Sequence, residues 1–289
     1  MRSAIAGPKT VLVTGANRGL GLGISRGLAR LGHHVVMACR DGEGAAVAGE
    51  AVSAEAEVKA AGGRVAVLAP LDLGSLDSIR NFSAALARGV ERIDVLVNNA
   101  GVFCPQRETT ADGFERCLGV NFLGPFLLSR LLLPLLSPGG RIVNVSSVVG
   151  LHGHFEPGDL GLERGYGPFR AYARSKYAII LATLELAERL AGRISVNALH
   201  PGVINTRILT MRRWYDPLAD RLFRPLVLDL DAGAAPVIEL AVTARHEGRT
   251  GQYFSRHREV ALRPRMRDPG ARRELWNLAS ALVGLDPGP

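Results

Sequence analysis

The chain has 289 residues, which suits one larger α/β domain better than two domains. Hydrophobic residues make up 47% and aromatics only 6%, so the core is expected to rest on Ala, Val, Leu and Ile. The net charge is +8, but aromatics are not interleaved with the arginines as a base-stacking surface needs, so no nucleic-acid partner is expected.

In chain order, Met1–Lys9 has no apolar core of the kind that marks a signal peptide. Apolar runs then alternate with longer amphipathic stretches. Strands are predicted at Thr10–Val13, His34–Ala38, Val65–Leu68, Val95–Asn98, Arg141–Val145 and Ser195–Leu199, with a seventh near Gly251–Phe254. Helices are predicted at Leu20–Arg30, Ala45–Ala61, Ser75–Ala87, Gly113–Leu136 and Arg170–Leu190. This rhythm predicts a single α/β domain over residues 1–289: a Rossmann-type, doubly wound parallel sheet of about seven strands with helices on both faces. The longest apolar run, Phe122–Leu136, is broken by Gly124, Pro125, Arg130 and Pro134, so no membrane span is expected. Two segments break the rhythm. Residues 150–169 read as a long loop. Residues 205–231 carry Trp214, Leu218, Leu222 and Leu226 at a spacing of four and read as a lid over a substrate or as a helix packed on the core. Contact of 205–231 with a membrane surface is a third reading. Three cysteines, Cys39, Cys104 and Cys117, lack CxxC spacing, which argues against a disulfide framework or a zinc site and fits a reducing cytoplasm.

Chemistry concentrates at the predicted carboxyl ends of strands, where ligands of such sheets bind. The first strand runs into Thr14-Gly15-Ala16-Asn17-Arg18-Gly19-Leu20-Gly21, whose glycines permit a tight turn and close approach to a pyrophosphate at a helix N-terminus. The second strand ends in Ala38-Cys39-Arg40-Asp41. Where an NAD enzyme carries an acid for the ribose, this chain has Cys39, while Arg18 and Arg40 could grip a 2′-phosphate. NADP(H) is therefore expected over NAD(H), although Asp41 lies close and the arginines also read as solvated turn residues. Asp72 could accept from the adenine amine or cap the next helix, a role Ser75 also claims. Asn98-Asn99-Ala100-Gly101 ends the fourth strand and either ties strands together or lines the cofactor cleft. Tyr172 and Lys176 are spaced to share one helix face, where an ammonium would favour phenolate over phenol. The chain has only three lysines among its 35 basic residues (Lys9, Lys59 and Lys176), so a lysine at 176 is unexpected for a plain surface cation.

Taken together and in this order, the motifs resemble the short-chain dehydrogenase/reductase family. They are TGANRGLG at 14–21, Asp72, NNAG at 98–101, Asn121, Val145-Ser146-Ser147, Tyr172-xxx-Lys176 and Pro201-Gly202 followed by Thr206. The resemblance implies that Tyr172 is the acid/base group. Lys176 would tune it and bind the nicotinamide ribose, Ser147 would bond the substrate carbonyl with Ser146 as the lesser candidate, and Asn121 would hold a water in a proton relay. It also implies cofactor contacts at Gly15, Asn17, Arg18, Gly19, Leu20, Gly21, Arg40, Asp72, Leu73, Asn99, Ala100, Gly101, Pro201, Gly202, Val203 and Thr206, besides Tyr172 and Lys176. The 24 residues between Ser147 and Tyr172, the Ala38–Asp41 end, Gly251-Gln252-Tyr253-Phe254 and Leu275-Trp276 through Leu285 narrow it to the retinol dehydrogenase-like and protochlorophyllide reductase-like branch.

The expected function is NADP(H)-linked hydride transfer between nicotinamide and a carbonyl or alcohol of a hydrophobic small molecule, in the cytoplasm. Reduction of a conjugated carbon–carbon double bond, an epimerisation, and a non-enzymatic nucleotide sensor are the alternatives. Ile179, Ile180, Leu184 and Leu186 supply more apolar surface than one helix face needs, which together with the resemblance suggests a subunit interface in a homodimer or homotetramer.

Overall fold

A computed structural model describes residues 7–68, 70–202 and 229–289. Eight strands form one sheet in the order β3-β2-β1-β4-β5-β6-β7-β8, all parallel except the last pair. They are β1 (Thr10–Thr14), β2 (His34–Ala38), β3 (Arg64–Leu68), β4 (Ile93–Asn98), β5 (Leu136–Val145), β6 (Ser195–His200), β7 (Tyr253–Ser255) and β8 (Arg258–Glu259). The first seven match the predicted strands, and the two-residue β8 adds an antiparallel edge too short to show as a periodic signal. The chain reverses direction across the sheet between β1 and β4, which opens a crevice at their carboxyl ends.

Both faces are covered, as strands apolar on both sides require. Val11 and Val13 of β1 face one core, built with Ile24 and Leu28 of α1 (Gly19–Arg30) and Val237 and Leu240 of α8 (Leu230–Val242). Leu12 faces the other core, with Phe82 of α4 (Leu76–Gly89), Phe126 of α6 (Gly124–Leu132) and Ile180 of α7 (Pro168–Leu190).

Two predicted helices break. Residues 45–61 divide into α2 (Gly42–Ala54) and α3 (Ala56–Ala61), because Glu55 adopts an extended conformation and its carboxylate pairs with Arg26 and Arg30 of α1. Residues 113–136 divide into α5 (Arg116–Leu118), a π-turn over Gly119–Leu123, α6 and a 3₁₀ turn over Leu133–Leu135. The stretch Arg116–Leu135 reaches 20 residues and is apolar enough, by length and composition, to cross a membrane, contrary to expectation. Here it is mostly buried and forms part of the core.

The surplus apolar surface of α7 has an explanation within the chain. The C-terminal helices α9 (Pro264–Arg267) and α10 (Pro269–Leu282) lie over it. Trp276 of α10, 1% exposed, meets Phe126 edge-on at 4.8 Å between ring centres. The guanidinium carbons of Arg130 and Arg189 lie 5.1 and 4.7 Å from its ring centre, and its indole donates to Pro287 O at 2.9 Å. Because the indole is both packed and hydrogen-bonded, Trp276→Ala is expected to cost about 3–5 kcal/mol of unfolding free energy, measured by urea denaturation. A loss below about 1 kcal/mol would show that α10 is not an integral cover.

Candidate active site

The glycine turn joins β1 to α1. Gly15 and Gly19 adopt left-handed backbone, with φ of +64° and +54°. A methyl group on Gly21 would stand 2.1 Å from Gly15 O and 2.6 Å from Asn99 Nδ2. Only glycine therefore lets the turn close against the end of β4. Thr14 locks that closure: its Oγ1 accepts from Asn99 N at 3.0 Å and Ala100 N at 3.1 Å, while Asn99 Nδ2 donates to Thr14 O at 2.9 Å. Arg18, at the N-cap of α1, makes no side-chain cap bond, and the first turn has no acidic residue. The first N–H groups of α1 and its positive dipole end are thus left for an external anion, which fits a dinucleotide pyrophosphate.

Around this turn the nearby carboxylates are already engaged. Asp41 Oδ1 accepts from Gly44 N at 3.0 Å as the N-cap of α2. Cys39 is 2% exposed, and burial pushes its thiol pKa up, so a neutral thiol occupies the expected acid position. Arg18 and Arg40 are both exposed. Asp72 Oδ1 accepts from Gly74 N at 2.8 Å, and Ser75 rather than Asp72 caps α4. Leu73 is 6% exposed, with its side chain in the core. Pro201 and Gly202 follow β6, Gly202 at φ +110°. Val203, Thr206 and the 205–228 part of the expected lid lie outside the described residues, while Asp229 caps α8 and residues 230 and 231 begin it.

Tyr172 and Lys176 occupy successive turns of α7, with Nζ 5.8 Å from the tyrosine ring centre. Lys176 is 4% exposed and donates to Val145 O at 2.9 Å; burial pushes its pKa down to about 8. Burial pushes the Tyr172 phenol up to about 12, with the Ser147 hydroxyl beside it pulling the other way. The expected lowering of the phenol pKa by Lys176 is therefore not met in this geometry. Burial is the largest cause at the phenol, and the ammonium is turned to a backbone carbonyl.

The two serines after β5 divide their work. Ser146 Oγ donates to Lys176 O at 2.9 Å and ties β5 to α7, which leaves Ser147 as the serine beside the phenol. Asn121 sits in the π-turn, a helix irregularity common at functional sites. Its Oδ1 accepts from Val102 N at 2.7 Å, and its Nδ2 donates to Val102 O at 2.9 Å and Ser175 Oγ at 3.0 Å. A methyl on Gly101 would lie 3.2 Å from Asn121 Oδ1 and 3.4 Å from Lys176 Nζ, so both groups face that glycine.

Sequence reasoning missed Phe103, whose ring packs edge-on against Tyr172 at 5.8 Å and Phe169 at 5.2 Å. It lies two residues after the NNAG segment, and no periodicity marks it. Ser175 and Thr14 were likewise silent, although Thr14 opens the glycine motif. His200 is held neutral by burial, its pKa pushed down to about 4, and no group of three metal-ligating side chains occurs among the described residues.

A phosphate-ready turn at the β1–β4 switch point, joined through Asn99–Gly101 to a tyrosine–lysine pair on α7, is the arrangement of a dinucleotide-dependent dehydrogenase. The short chain dehydrogenase family model matches residues 9–215, and the chain belongs to that family. Human retinol dehydrogenase 14 is 40% identical, covering 96% of this chain and 87% of its own length. Human retinol dehydrogenase 13 is also 40% identical, over 96% and 84%. The chain thus falls in the retinol dehydrogenase-like branch. Among solved structures, an uncharacterised protein from Mycobacterium paratuberculosis superposes with a TM-score of 0.79 at 32% identity, over 99% of this chain and 97% of that one. A short chain dehydrogenase from Burkholderia cenocepacia in complex with NADP gives 0.67 at 27% identity, over 87% and 96%.

A buried ammonium with a lowered pKa penalises the folded state while it is charged. The penalty is present below about pH 8 and disappears as pH rises toward the unfolded value of 10.5. Lys176→Met is therefore expected to raise unfolding free energy at pH 7 by about 1–3 kcal/mol, after loss of the Val145 bond, with the gain vanishing above pH ~10.5. Chemical denaturation at both pH values checks this; equal stability of the two proteins at pH 7 refutes it.

Proposed function

We propose that this chain is an NADP(H)-dependent oxidoreductase that interconverts an alcohol and a carbonyl on a hydrophobic small molecule, with Tyr172 as acid/base. The observation that carries this reading is the gathering of Tyr172, Ser147, Lys176 and Asn121 around the Asn99–Gly101 segment that closes on the glycine turn. When bound, the nicotinamide supplies or accepts the hydride. In reduction, the Ser147 hydroxyl donates a hydrogen bond to the carbonyl oxygen, and Tyr172 delivers its proton to that oxygen as charge develops there. A phenol with a pKa near 12 holds its proton at neutral pH, which this direction requires. Lys176, with a pKa near 8, is largely cationic at pH 7 and steadies the phenolate left behind. Asn121 and Lys176, facing Gly101 together, offer the route by which that proton is restored. Oxidation runs the same transfers in reverse.

Preference for NADP(H) is supported by two exposed guanidiniums, Arg18 and Arg40, and by the commitment of Asp41 to its helix cap. A hydrophobic substrate is supported by Phe169 and Val148, 54% and 42% exposed beside Tyr172 and Ser147. Relatives named for retinol and polyprenol, both extended apolar alcohols, point the same way. Three buried free thiols suit a reducing, cytoplasmic setting. Self-association as a homodimer or homotetramer belongs to this reading on surfaces other than the one covered by α10.

Arg18→Ala and Arg40→Ala are each expected to weaken NADPH binding roughly 10- to 100-fold and leave NADH within about twofold, read by cofactor fluorescence titration. Equal losses for both cofactors, or a wild type preferring NADH, would overturn the cofactor assignment. Tyr172→Phe should lower aldehyde and ketone turnover with NADPH by at least about 100-fold at unchanged NADPH affinity. Undiminished turnover without the phenol would remove Tyr172 from the chemistry.

A further inference from the structure

The helix that carries Tyr172 starts on Pro168, which fixes the first helical residue, but it has no side-chain cap. Gly167 at the N-cap of α7 offers no side-chain cap, the first turn has no acidic residue, and Arg170 places a cation at the positive end of the helix dipole. Tyr172 lies only one turn further on, within reach of fraying. Yet the segment between Ser147 and this helix wraps it as a collar. Methyl groups on Gly150 and Gly153 would lie 2.8 Å from Lys176 O and 2.5 Å from Ala173 O, so the backbone presses on α7 there. The far side of the collar is held by arginines that take successive backbone carbonyls. Arg174 Nη1 donates to Asp159 O and, at 3.3 Å, to Leu160 O. Arg107 Nη2 and Nε donate to Gly161 O and Leu162 O at 3.4 and 3.3 Å. Arg170 Nη1 donates to Gly165 O at 3.2 Å. Tyr166 closes the collar, its hydroxyl donating to Cys104 O at 2.8 Å and Gln106 O at 3.1 Å, next to the Phe103 ring that packs on Tyr172.

Arg174 is central to this arrangement. It is 2% exposed, and its Nε and Nη2 have no partner among the described residues. A guanidinium is costly to bury, and a surface arginine would serve if only helix propensity were wanted. It stands two residues from Tyr172, about 200° round the helix, so it faces away from the reacting groups. We propose that Arg174 is a positioning residue: by clamping the carbonyls of Asp159 and Leu160 it holds the collar, and the collar in place of a helix cap holds the first turns of α7 and aims the Tyr172 phenol at Ser147. A shift of about 1 Å in such a group costs on the order of 100-fold in rate.

This role rests on the reaction proposed above. Arg174→Ala is expected to lower kcat for NADPH-dependent reduction of decanal roughly 10- to 100-fold, with NADPH affinity within about twofold of wild type. Arg174→Lys, which keeps a cation near the carbonyls, should recover most of the loss. Trp276→Ala is the control, since it destabilises the fold from a remote helix and should leave kcat within about twofold below its melting range. Hydrogen exchange of the 170–173 amides should accelerate in Arg174→Ala and not in Trp276→Ala. Should Arg174→Ala fail to fold, Arg107→Ala, which releases the Gly161 and Leu162 carbonyls of the same collar, carries the test with a smaller loss in the same direction. Unchanged kcat, or a parallel loss of kcat and NADPH affinity, or an equal kcat loss in Trp276→Ala, overturns the role. A wild type inactive on every carbonyl defeats the proposed reaction instead, while the exchange rates still decide whether Arg174 holds the helix.

Discussion

One helix must be buried on all sides and still carry the groups proposed to react. Every residue of α7 from Arg174 to Ala187 is buried, among them five polar or charged side chains. A helix in that position needs neighbours all round and a partner for each polar group. Ser175 bonds Asn121, Thr183 bonds Asn144, and Glu185 pairs with Arg189 of the same helix. Lys176 turns to Val145 and Arg174 to the collar. The sheet, the π-turn and α10 close the sides of α7, and the collar meets the turns that carry Tyr172 and Lys176.

The same burial sets the chemistry. Desolvation lowers Lys176 toward neutral pH and raises Tyr172 away from it, so the protein holds a cation it disfavours beside a phenol that keeps its proton. Such strain is tolerable only where the surroundings cannot relax. A buried amide network supplies part of that rigidity: Asn98 donates to Ser129 and to Asn144, which donates in turn to Thr183 of α7. The network joins β4, β5 and α7 behind the site, and its directional bonds fix how these elements meet in a way apolar packing alone does not.

The apolar surplus of α7 illustrates what a hydrophobic pattern leaves open. Ile179, Ile180, Leu184 and Leu186 were expected to be buried on more than one side, with a subunit interface suggested by the resemblance. Within the chain they belong to one core cluster with Trp276 of α10, which lies between two guanidiniums. Hydrophobic pattern reports that a face must be covered and is silent on what covers it, because the driving force is non-directional.

Seven strands, the glycine turn and the tyrosine–lysine spacing were legible in the sequence because each is a local rule: apolar runs of strand length, backbone conformations that require glycine, and the period of a helix. Local rules could not reveal the break at Glu55, made by distant arginines, or Phe103, whose role exists only once the segment after β4 meets the start of α7. The division of labour between Ser146 and Ser147 was also invisible, since both follow β5 and only the approach of α7 distinguishes them. The sequence by itself therefore determined which groups are available and roughly where on each element they sit. Tertiary structure decided their ionisation and their partners, because burial and hydrogen bonding depend on segments far apart in the chain.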